Sequence, residues 1–233
     1  MNKKNNLLNV FYLLVPGFVL LISFTHIPAI KTLMNSFYST AKGRRESKFV
    51  GLENYETLWQ DATFWKVFSN NIIYALGVIP TSILLSLGMA LWVNSKIIGR
   101  PFLRFSYFLP TVLPLIAVGN IWLFFYAPGF GLIDQIVTSL GFQSLNILGS
   151  QESSLFGVMA VGIWKEAGFY MIFYLAGLQA IPPDLKEAAM IEGANKWYIF
   201  WRITFPLLTP TTLFVSVNAC LLYTSDAADE ASS

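Results

Sequence analysis

Charge is scarce in this sequence. Asp, Glu, Lys and Arg make up 12% of its 233 residues, about half the share of a typical soluble domain. The shortage is concentrated in five long stretches that have no charge except one Lys-Glu pair, at residues 5–30, 67–95, 105–133, 153–183 and 203–225. Each stretch reaches the roughly 20 apolar residues that a helix needs to cross a membrane. This pattern excludes a soluble enzyme and predicts an all-α, polytopic transmembrane helical bundle.

Cysteine and histidine are almost missing as well. The chain has one cysteine, Cys220, and one histidine, His26, which excludes an internal disulfide and a histidine-rich metal site. The net charge of +2 provides no basic stripe for a nucleic acid. The sequence also lacks a Gly-x-x-x-x-Gly-Lys-Ser/Thr loop, so it has no phosphate loop to hold ATP. We therefore expect no catalytic residue, no cofactor and no metal, and we assign any ATP hydrolysis to a partner chain.

Five membrane spans follow from the uncharged stretches. We expect them within one transmembrane domain of residues 1–219, at about 8–30, 68–94, 105–126, 155–178 and 203–223. Basic residues in short loops favour the cytoplasmic side of a membrane. The relevant ones are Lys3 and Lys4 before the first span and Lys96, Arg100 and Arg104 between the second and third. The long loop of residues 31–66 has a mixed charge and carries less weight, so the N-terminus is predicted to be cytoplasmic.

The loop between the fourth and fifth spans, about residues 180–202, is predicted to form a helical elbow. Pro182 and Pro183 stop the incoming helix, and Asp184 is a good N-cap. Glu187, three residues later, completes an Asp-x-x-Glu capping box. A helix is therefore expected to begin at Asp184, on the cytoplasmic side of the membrane.

The second half of this elbow contains a glycine bend. The helix is expected to run to about Glu192, Gly193 then lets the chain turn, and a second helical stretch follows over 195–203. Lys196 reads as a solvated charge. The pattern alone leaves two interpretations open: an amphipathic connector that rests on the membrane, or a helix that docks in a groove of another protein.

The elbow carries the motif that resembles a known family. Glu-Ala-Ala, three residues, Gly, nine residues and then Ile-x-Phe-Pro is similar to the EAA motif of importer-type ABC permeases, with Phe205 in place of the usual Leu. In that family the elbow is the coupling helix, held in a cleft of a cytoplasmic ATPase subunit. The residues that the resemblance assigns to ATPase coupling are Glu187, Ala188, Ala189, Gly193, Ile203 and Pro206.

A second, softer resemblance points to the sugar branch of these permeases, the maltose and glycerol-3-phosphate type. It rests on stretches 51–55, 108–110, 176–179 and 181–182, with Asp61 and Phe64-Trp65. The family resemblance covers about Val10 to Phe214. It implies a prokaryotic inner membrane protein that works with a second permease subunit, a cytoplasmic ATPase dimer and an extracytoplasmic solute-binding protein. Two alternatives stay open: the same architecture importing an amino acid or polyamine, and a secondary transporter or channel without an ATPase.

An ionisable pair in the fourth span suggests a solute path. Lys165 and Glu166 are costly in hydrocarbon unless they are paired or face water, which makes them candidates for function. Trp164 and Tyr170 have rings that could stack on a sugar. The alternative is that the pair lies near the outer interface, where Lys165 reaches the headgroups.

The C-terminal end is unusual. Residues 220–230 resemble the translated read-through of a sequencing adapter, so we interpret 220–233 as a non-native tail. The alternative is a short acidic disordered tail. Since the family has six spans, a sixth span is expected in the intact protein.

Overall fold

The computed structural model describes residues 3–39, 47–95 and 98–230, and this part of the chain is nearly all helical. It contains no strand, only an isolated bridge between Tyr38 and Phe49. The helices are α1 (Lys3–Leu21), α2 (Ile27–Asn35), α3 (Glu53–Gln60), α4 (Ala62–Asn94), α5 (Arg100–Val112), α6 (Leu115–Tyr126), α7 (Leu132–Ser139), α8 (Gln151–Ala180), α9 (Pro183–Ile191), α10 (Lys196–Ile199), α11 (Phe205–Leu207) and α12 (Thr209–Glu230). The predicted all-α class is confirmed. Lys96, used above for orientation, lies outside the described residues.

Three helical stretches are long and apolar enough to cross a membrane alone, namely Tyr12–Asn35, Ala62–Asn94 and Ser153–Ala180. Two bent helix pairs, Arg100–Val112 with Leu115–Tyr126 and Lys196–Leu207 with Thr209–Leu222, also pass this test. If each pair is one span, the described residues hold up to five spans by length and composition. The sequence predicts the same number.

The third predicted span consists of two helices. α5 and α6 meet at an angle of 101°. Pro114 is the N-cap of α6, and Leu113 before it is extended, with ψ 134°. A residue that precedes proline is disfavoured in helical conformation, so α5 ends before Pro114. The span predicted at 105–126 therefore corresponds to two helices with a sharp break between them.

The chain divides into two compact units, residues 1–68 and 69–233. In the first unit, α1 continues into α2 through a π-helical turn at Ile22–His26. The loop that follows is held by Asn54, whose Nδ2 donates to the carbonyl oxygens of Ser36 at 2.8 Å and Tyr38 at 2.9 Å. The Tyr55 hydroxyl lies 2.6 Å from the Ser36 hydroxyl. These bonds give a local reason for the polar residues in the 51–55 stretch.

The core of the second unit is built around α8. Its buried side chains come from α4, α8 and the region of α12: Leu87, Ala90, Val93, Tyr170, Met171, Tyr174, Leu175, Leu178, Ile181, Leu208, Val215 and Ala219. Two hydrogen bonds cross the helix contacts. Thr111 Oγ1 of α5 donates to the carbonyl oxygen of Lys165 at 3.2 Å. The Tyr174 hydroxyl of α8 donates to Thr212 Oγ1 of α12 at 3.1 Å.

The last helix runs into the segment interpreted as a non-native tail. α12 is continuous from Thr209 to Glu230, and Cys220 on it is exposed. Residues 231–233 lie outside the described part of the chain. The adapter origin of 220–233 stays a prediction.

Candidate functional site

The first arm of the elbow begins one residue earlier than predicted. α9 runs from Pro183 to Ile191, and its N-cap is Pro182, with no side-chain cap hydrogen bond. Proline suits the first helical position because its missing N–H would be unpaired there in any case. Pro183 therefore takes that position, and Asp184 falls inside the first turn. The predicted capping box of Asp184 and Glu187 is wrong.

The bend of the elbow is a Schellman motif. The amide of Gly193 donates to the carbonyl oxygen of Met190 at 3.1 Å, and the amide of Ala194 donates to that of Ala189 at 2.9 Å. This pair of bonds ends a helix on a left-handed residue, and Gly193 has φ +82°. A Cβ added at Gly193 would meet nothing within 4 Å. The glycine is thus needed for its backbone angle and not for close approach.

The second arm leads into the last span through a π-helical turn. α10 is capped by Asn195, whose side chain accepts from the Tyr198 amide at 2.8 Å. The turn at Phe200–Thr204 follows, and the pair of helices around Leu208 is bent by 59°. Pro206 lies in α11 within this bend, and Ile203 is half-buried just before it. Pro206 is exposed at this bend, and the coupling role of these two motif residues stays a prediction.

The two faces of α9 differ. Glu187 and Ala188 are exposed, and Ala189 is half-buried. Lys186 and Met190, four residues apart on one face, line a cavity against the bundle. Ala188 lies two residues from Lys186, about 200° around the helix. Ala188 therefore points away from the cavity, whereas Ala189, three residues from Lys186, lies closer to the cavity face.

The structure separates the four residues predicted for the solute path. Trp164 is 38% exposed and packs edge-on against Trp122 with ring centroids 5.6 Å apart. Tyr170 is 2% exposed and belongs to the core. Lys165 is half-buried. Glu166 and Tyr170 come together, because the Tyr170 hydroxyl is hydrogen-bonded to the Glu166 carboxylate.

Glu166 and Tyr170 line a small cavity inside the second unit, with apolar walls from Val78, Ile79, Ala219 and Leu222. The cavity measures about 60 Å³, enough for a few water molecules. Tyr74 and Ser82 of α4 contribute its opposite wall. Ser82 is fully buried, and its hydroxyl has no hydrogen-bond partner among the described residues. An unpaired buried hydroxyl is costly, so a water molecule in this cavity would supply the partner that the Ser82 hydroxyl lacks.

Asp134, which no sequence motif marks, has a central role in the loop between α6 and α8. Its Oδ1 accepts from the Ser144 hydroxyl at 2.7 Å and from the Leu145 amide at 2.9 Å, and its Oδ2 accepts from the Gly129 amide at 2.8 Å. These hydrogen bonds, led by that of Ser144, hold the pKa of Asp134 below its usual range. These hydrogen bonds have no local signal in the sequence, because the partners of Asp134 lie 5 to 11 residues away from it.

Comparison with known proteins places these features in a family. Residues 79–222 match the family described as binding-protein-dependent transport system inner membrane component. The osmoprotective compounds uptake permease protein GgtC of Synechocystis is 35% identical over 89% of this chain and 75% of its own. The trehalose/maltose transport system permease protein MalF of Thermococcus litoralis is 32% identical over 93% of this chain and 72% of its own.

A solved structure resembles the fold over nearly the same range. It is the crystal structure of a bacterial alginate ABC transporter in complex with an alginate pentasaccharide-bound periplasmic protein. One of its chains has a TM-score of 0.75 and 25% sequence identity to this chain, over 93% of this chain and 72% of that chain.

Proposed function

We propose that this chain, which belongs to the family of inner membrane components of binding-protein-dependent transport systems, is the permease subunit of an ATP-driven importer for a sugar or sugar-like solute. The observation that carries the proposal is the elbow, a helix that ends in a Schellman motif at Gly193 and leaves Glu187 and Ala188 exposed. The relatives' names support a sugar, since they include a trehalose/maltose permease and an alginate transporter.

The elbow is well built to receive force from a partner. Coupling between two sites requires an element whose arrangement both sites bias. α9 is held at its C-terminal end by the two Schellman bonds, and it continues through Gly193 and α10 toward the last span. Ile191, three residues from Ala188, is 87% exposed. A cytoplasmic ATPase subunit that seats Ala188 and covers Ile191 would therefore bury apolar surface and move the span.

The small cavity beside Glu166 supports a solute path along α8. The Glu166 carboxylate can accept a hydrogen bond from a solute. The Ser82 hydroxyl can donate one, since it has no hydrogen-bond partner among the described residues. Sugar hydroxyls both donate and accept, so they match this pair. Trp164, exposed on another face of α8, is the ring with room to stack on a sugar. Lys165, between Trp164 and Glu166 in the sequence, is the remaining residue that we propose for the solute path.

The proposed assembly has four further parts. A second permease subunit completes the path, two ATPase subunits drive it, and an extracytoplasmic binding protein delivers the solute. The elbow must then face the cytoplasm, which places the N-terminus there too, in a prokaryotic inner membrane. The alternative is the same architecture with another small solute, which the name of the osmoprotectant permease relative keeps in view.

The test is uptake into vesicles that contain the complete transporter. The permease pair and its ATPase are reconstituted, the binding protein is added, and labelled disaccharides, osmoprotectants, amino acids and polyamines are offered with and without ATP. We expect ATP-dependent uptake of a sugar or sugar-like compound. Uptake that continues without the ATPase would indicate a secondary transporter or channel, and uptake of amino acids alone would overturn the sugar assignment.

A further inference from the structure

A second cavity lies behind the elbow. It measures about 270 Å³ and is bounded by the ends of α4 and α8 and by the two arms of the elbow. Leu91, Leu178, Met190 and Phe200 give it mainly apolar walls. This volume is several times that of the small cavity beside Glu166, and its position and chemistry are different.

Two lysines line this apolar space. Lys186 comes from α9 and Lys196 from α10, and Asn94 and Thr204 add polar groups. The lining contains no acidic side chain. Lys186 is half-buried and Lys196 is exposed, which fits lysines whose stems pack on apolar walls while their ammonium groups stay at the rim. A ligand that combines a negative charge with hydrocarbon matches apolar walls with two cations at the rim, and the exposure of Lys196 agrees with its interpretation as a solvated charge.

We propose that this cavity is a binding site for an anionic phospholipid, with the phosphate between Lys186 and Lys196 and an acyl chain against Leu91, Leu178 and Phe200. The proposal rests on the cytoplasmic placement of the elbow argued above. Basic pockets between the cytoplasmic ends of membrane helices are suited to anionic lipid headgroups. The volume and apolar walls suit the glycerol backbone and the first part of a chain.

Aromatic side chains beside the cavity support a headgroup-level position. Trp197 is 70% exposed and Trp201 is 45% exposed, and their rings pack edge-on at 5.7 Å. Tryptophan favours the boundary between headgroups and acyl chains. The elbow, which carries these rings, is therefore expected at the level of the phospholipid headgroups.

The geometry of α9 favours a lipid over a side chain of the ATPase. Ala188, the proposed ATPase contact, lies about 200° around the helix from Lys186. A protein docked on the Ala188 face would leave the Lys186 face turned to the bundle and the membrane. Both sites can be filled together, so the lipid would not compete with coupling.

A bound phosphate would join the two arms of the elbow. Lys186 precedes the bend at Gly193 and Lys196 follows it, so one anion that contacts both lysines bridges α9 and α10. The bridge stiffens the bend through which the ATPase motion must pass. Transport should therefore be faster in membranes that contain anionic lipid.

The experiment measures lipid retention directly. The full-length chain, purified with its transporter partners in mild detergent, is incubated with dioleoyl-phosphatidylglycerol or dioleoyl-phosphatidylcholine, and bound lipid is counted by native mass spectrometry. The test variant is Lys186→Gln with Lys196→Gln. The matched control is Arg202→Gln, because Arg202 is an exposed cation on the same segment that does not line the cavity.

We expect preferential retention of phosphatidylglycerol, with affinity lower by roughly fivefold for each lysine removed and roughly thirtyfold for both. Arg202→Gln should retain the lipid. Equal retention by the double variant would overturn the proposal, and so would equal retention of the two lipids. Competition by soluble glycerol phosphate at the same concentration would show that the acyl chain contributes nothing, which also contradicts a lipid site.

Two further readouts separate this proposal from the function of the transporter. Retention that requires the ATPase, or cross-linking of Lys186 to the ATPase, would assign the cavity to a protein partner and overturn the lipid site. Uptake is measured separately in phosphatidylcholine vesicles with and without phosphatidylglycerol. A failure of uptake in both, with lipid retention intact, would count against the proposed function and leave the lipid site standing.

Discussion

The seam between α5 and α8 and the elbow of α9 and α10 belong to the same compact unit, yet they are held in different ways. In the seam, Gly168 lies so close to α5 that a Cβ would strike the carbonyl oxygen of Tyr107. In the elbow, a Cβ on Gly193 would meet nothing, and only the backbone angle demands glycine. Packing specifies the seam, whereas local hydrogen bonds specify the elbow.

This difference explains how one helical chain can contain both tightly packed helices and an elbow with an open face. Small residues let membrane helices approach closely, where dispersion contacts and hydrogen bonds accumulate. A Schellman motif needs no neighbour, because its bonds lie within the chain. The elbow can therefore keep its shape while α9 leaves one face open. Each substitution below tests one side of this comparison, in order of decreasing effect.

Gly168→Ala should have the largest effect, because the added methyl group must push α5 away from α8. Overpacking of this kind costs about 1–3 kcal/mol. We expect a lower thermal unfolding midpoint in detergent and less protein in the membrane. Gly88→Ala is the matched control, since Gly88 lies inside α4 and a Cβ there meets nothing within 4 Å. Equal behaviour of the two variants would contradict the tight seam.

Ala188→Trp should abolish coupling while the bundle stays intact. The indole would overfill an ATPase groove shaped for a methyl group, and a penalty of about 1–3 kcal/mol corresponds to roughly 5- to 150-fold weaker association. The measurements are solute uptake and co-purification of the ATPase from membranes. Ala160→Trp, on an exposed position of α8, is the control. Normal ATPase binding by Ala188→Trp would refute the docking face.

The hydropathy pattern and the EAA motif predicted the features of this protein that have a local signal in the sequence. The uncharged stretches gave the helices, and the glycine in the EAA motif correctly marked the bend at Gly193. Two features were not predicted: the residue at which proline makes a helix begin, and the contacts between side chains that are distant in the sequence. Asp184 was misassigned because Pro183 takes the first helical position, and Asp134 was overlooked because its partners come from the two ends of a loop.

The cavities could not be predicted for the same reason. Glu166 and Ser82 lie 84 positions apart, and Lys186 and Lys196 are joined only by the bend between them. Periodicity reports the face of a single helix but not the neighbour across it. Trp164 and Tyr170 looked like a pair in sequence, but six helical positions turn them toward different surroundings.

Gly193→Asp should lower uptake and weaken ATPase association, because it adds a side chain at a positive φ and a negative charge at the C-terminal end of α9. A side chain in the left-handed region costs about 1–2 kcal/mol, and the bend will shift if another angle is cheaper. Gly193→Asn is the informative control, because asparagine tolerates this region better than other side chains. We expect Asn to transport better than Ala at this position. If Asn and Ala are equally impaired, the positive φ is not the cause.

Asp134→Asn should loosen the loop between α6 and α8 without disturbing either the seam or the elbow. The amide oxygen can replace Oδ1, but the amide nitrogen would face the Gly129 N–H, which is also a donor. We expect faster hydrogen exchange at Gly129 with little change at Leu145, whereas Asp134→Ala should speed exchange at both. Slow exchange at both positions in Asp134→Ala would show that the carboxylate does not hold the loop.

The pH dependence of this loop follows from the same carboxylate. Its pKa is lowered in the folded state, so its contribution to stability is present above the ordinary Asp pKa of about 3.9 and is lost as the pH falls through the lower folded value. Protection at Gly129 and Leu145, corrected for intrinsic rates, should be constant from pH 8 to 5. A loss of protection within that range would contradict the hydrogen-bonded carboxylate.

Asp184→Ala should have the smallest effect. A true N-cap would lose about 1 kcal/mol on this change, but Asp184 lies within the first turn and makes no cap hydrogen bond. Only its charge near the positive end of α9 remains, which is worth 0.3–1 kcal/mol at an exposed site. Uptake and ATPase co-purification should therefore stay within about fivefold of wild type, and Asp184→Asn should behave in the same way. A defect as large as that of Gly193→Asp would mean that the transporting state uses Asp184 as a cap, and that the start of the elbow, unlike its glycine bend, rearranges during the cycle.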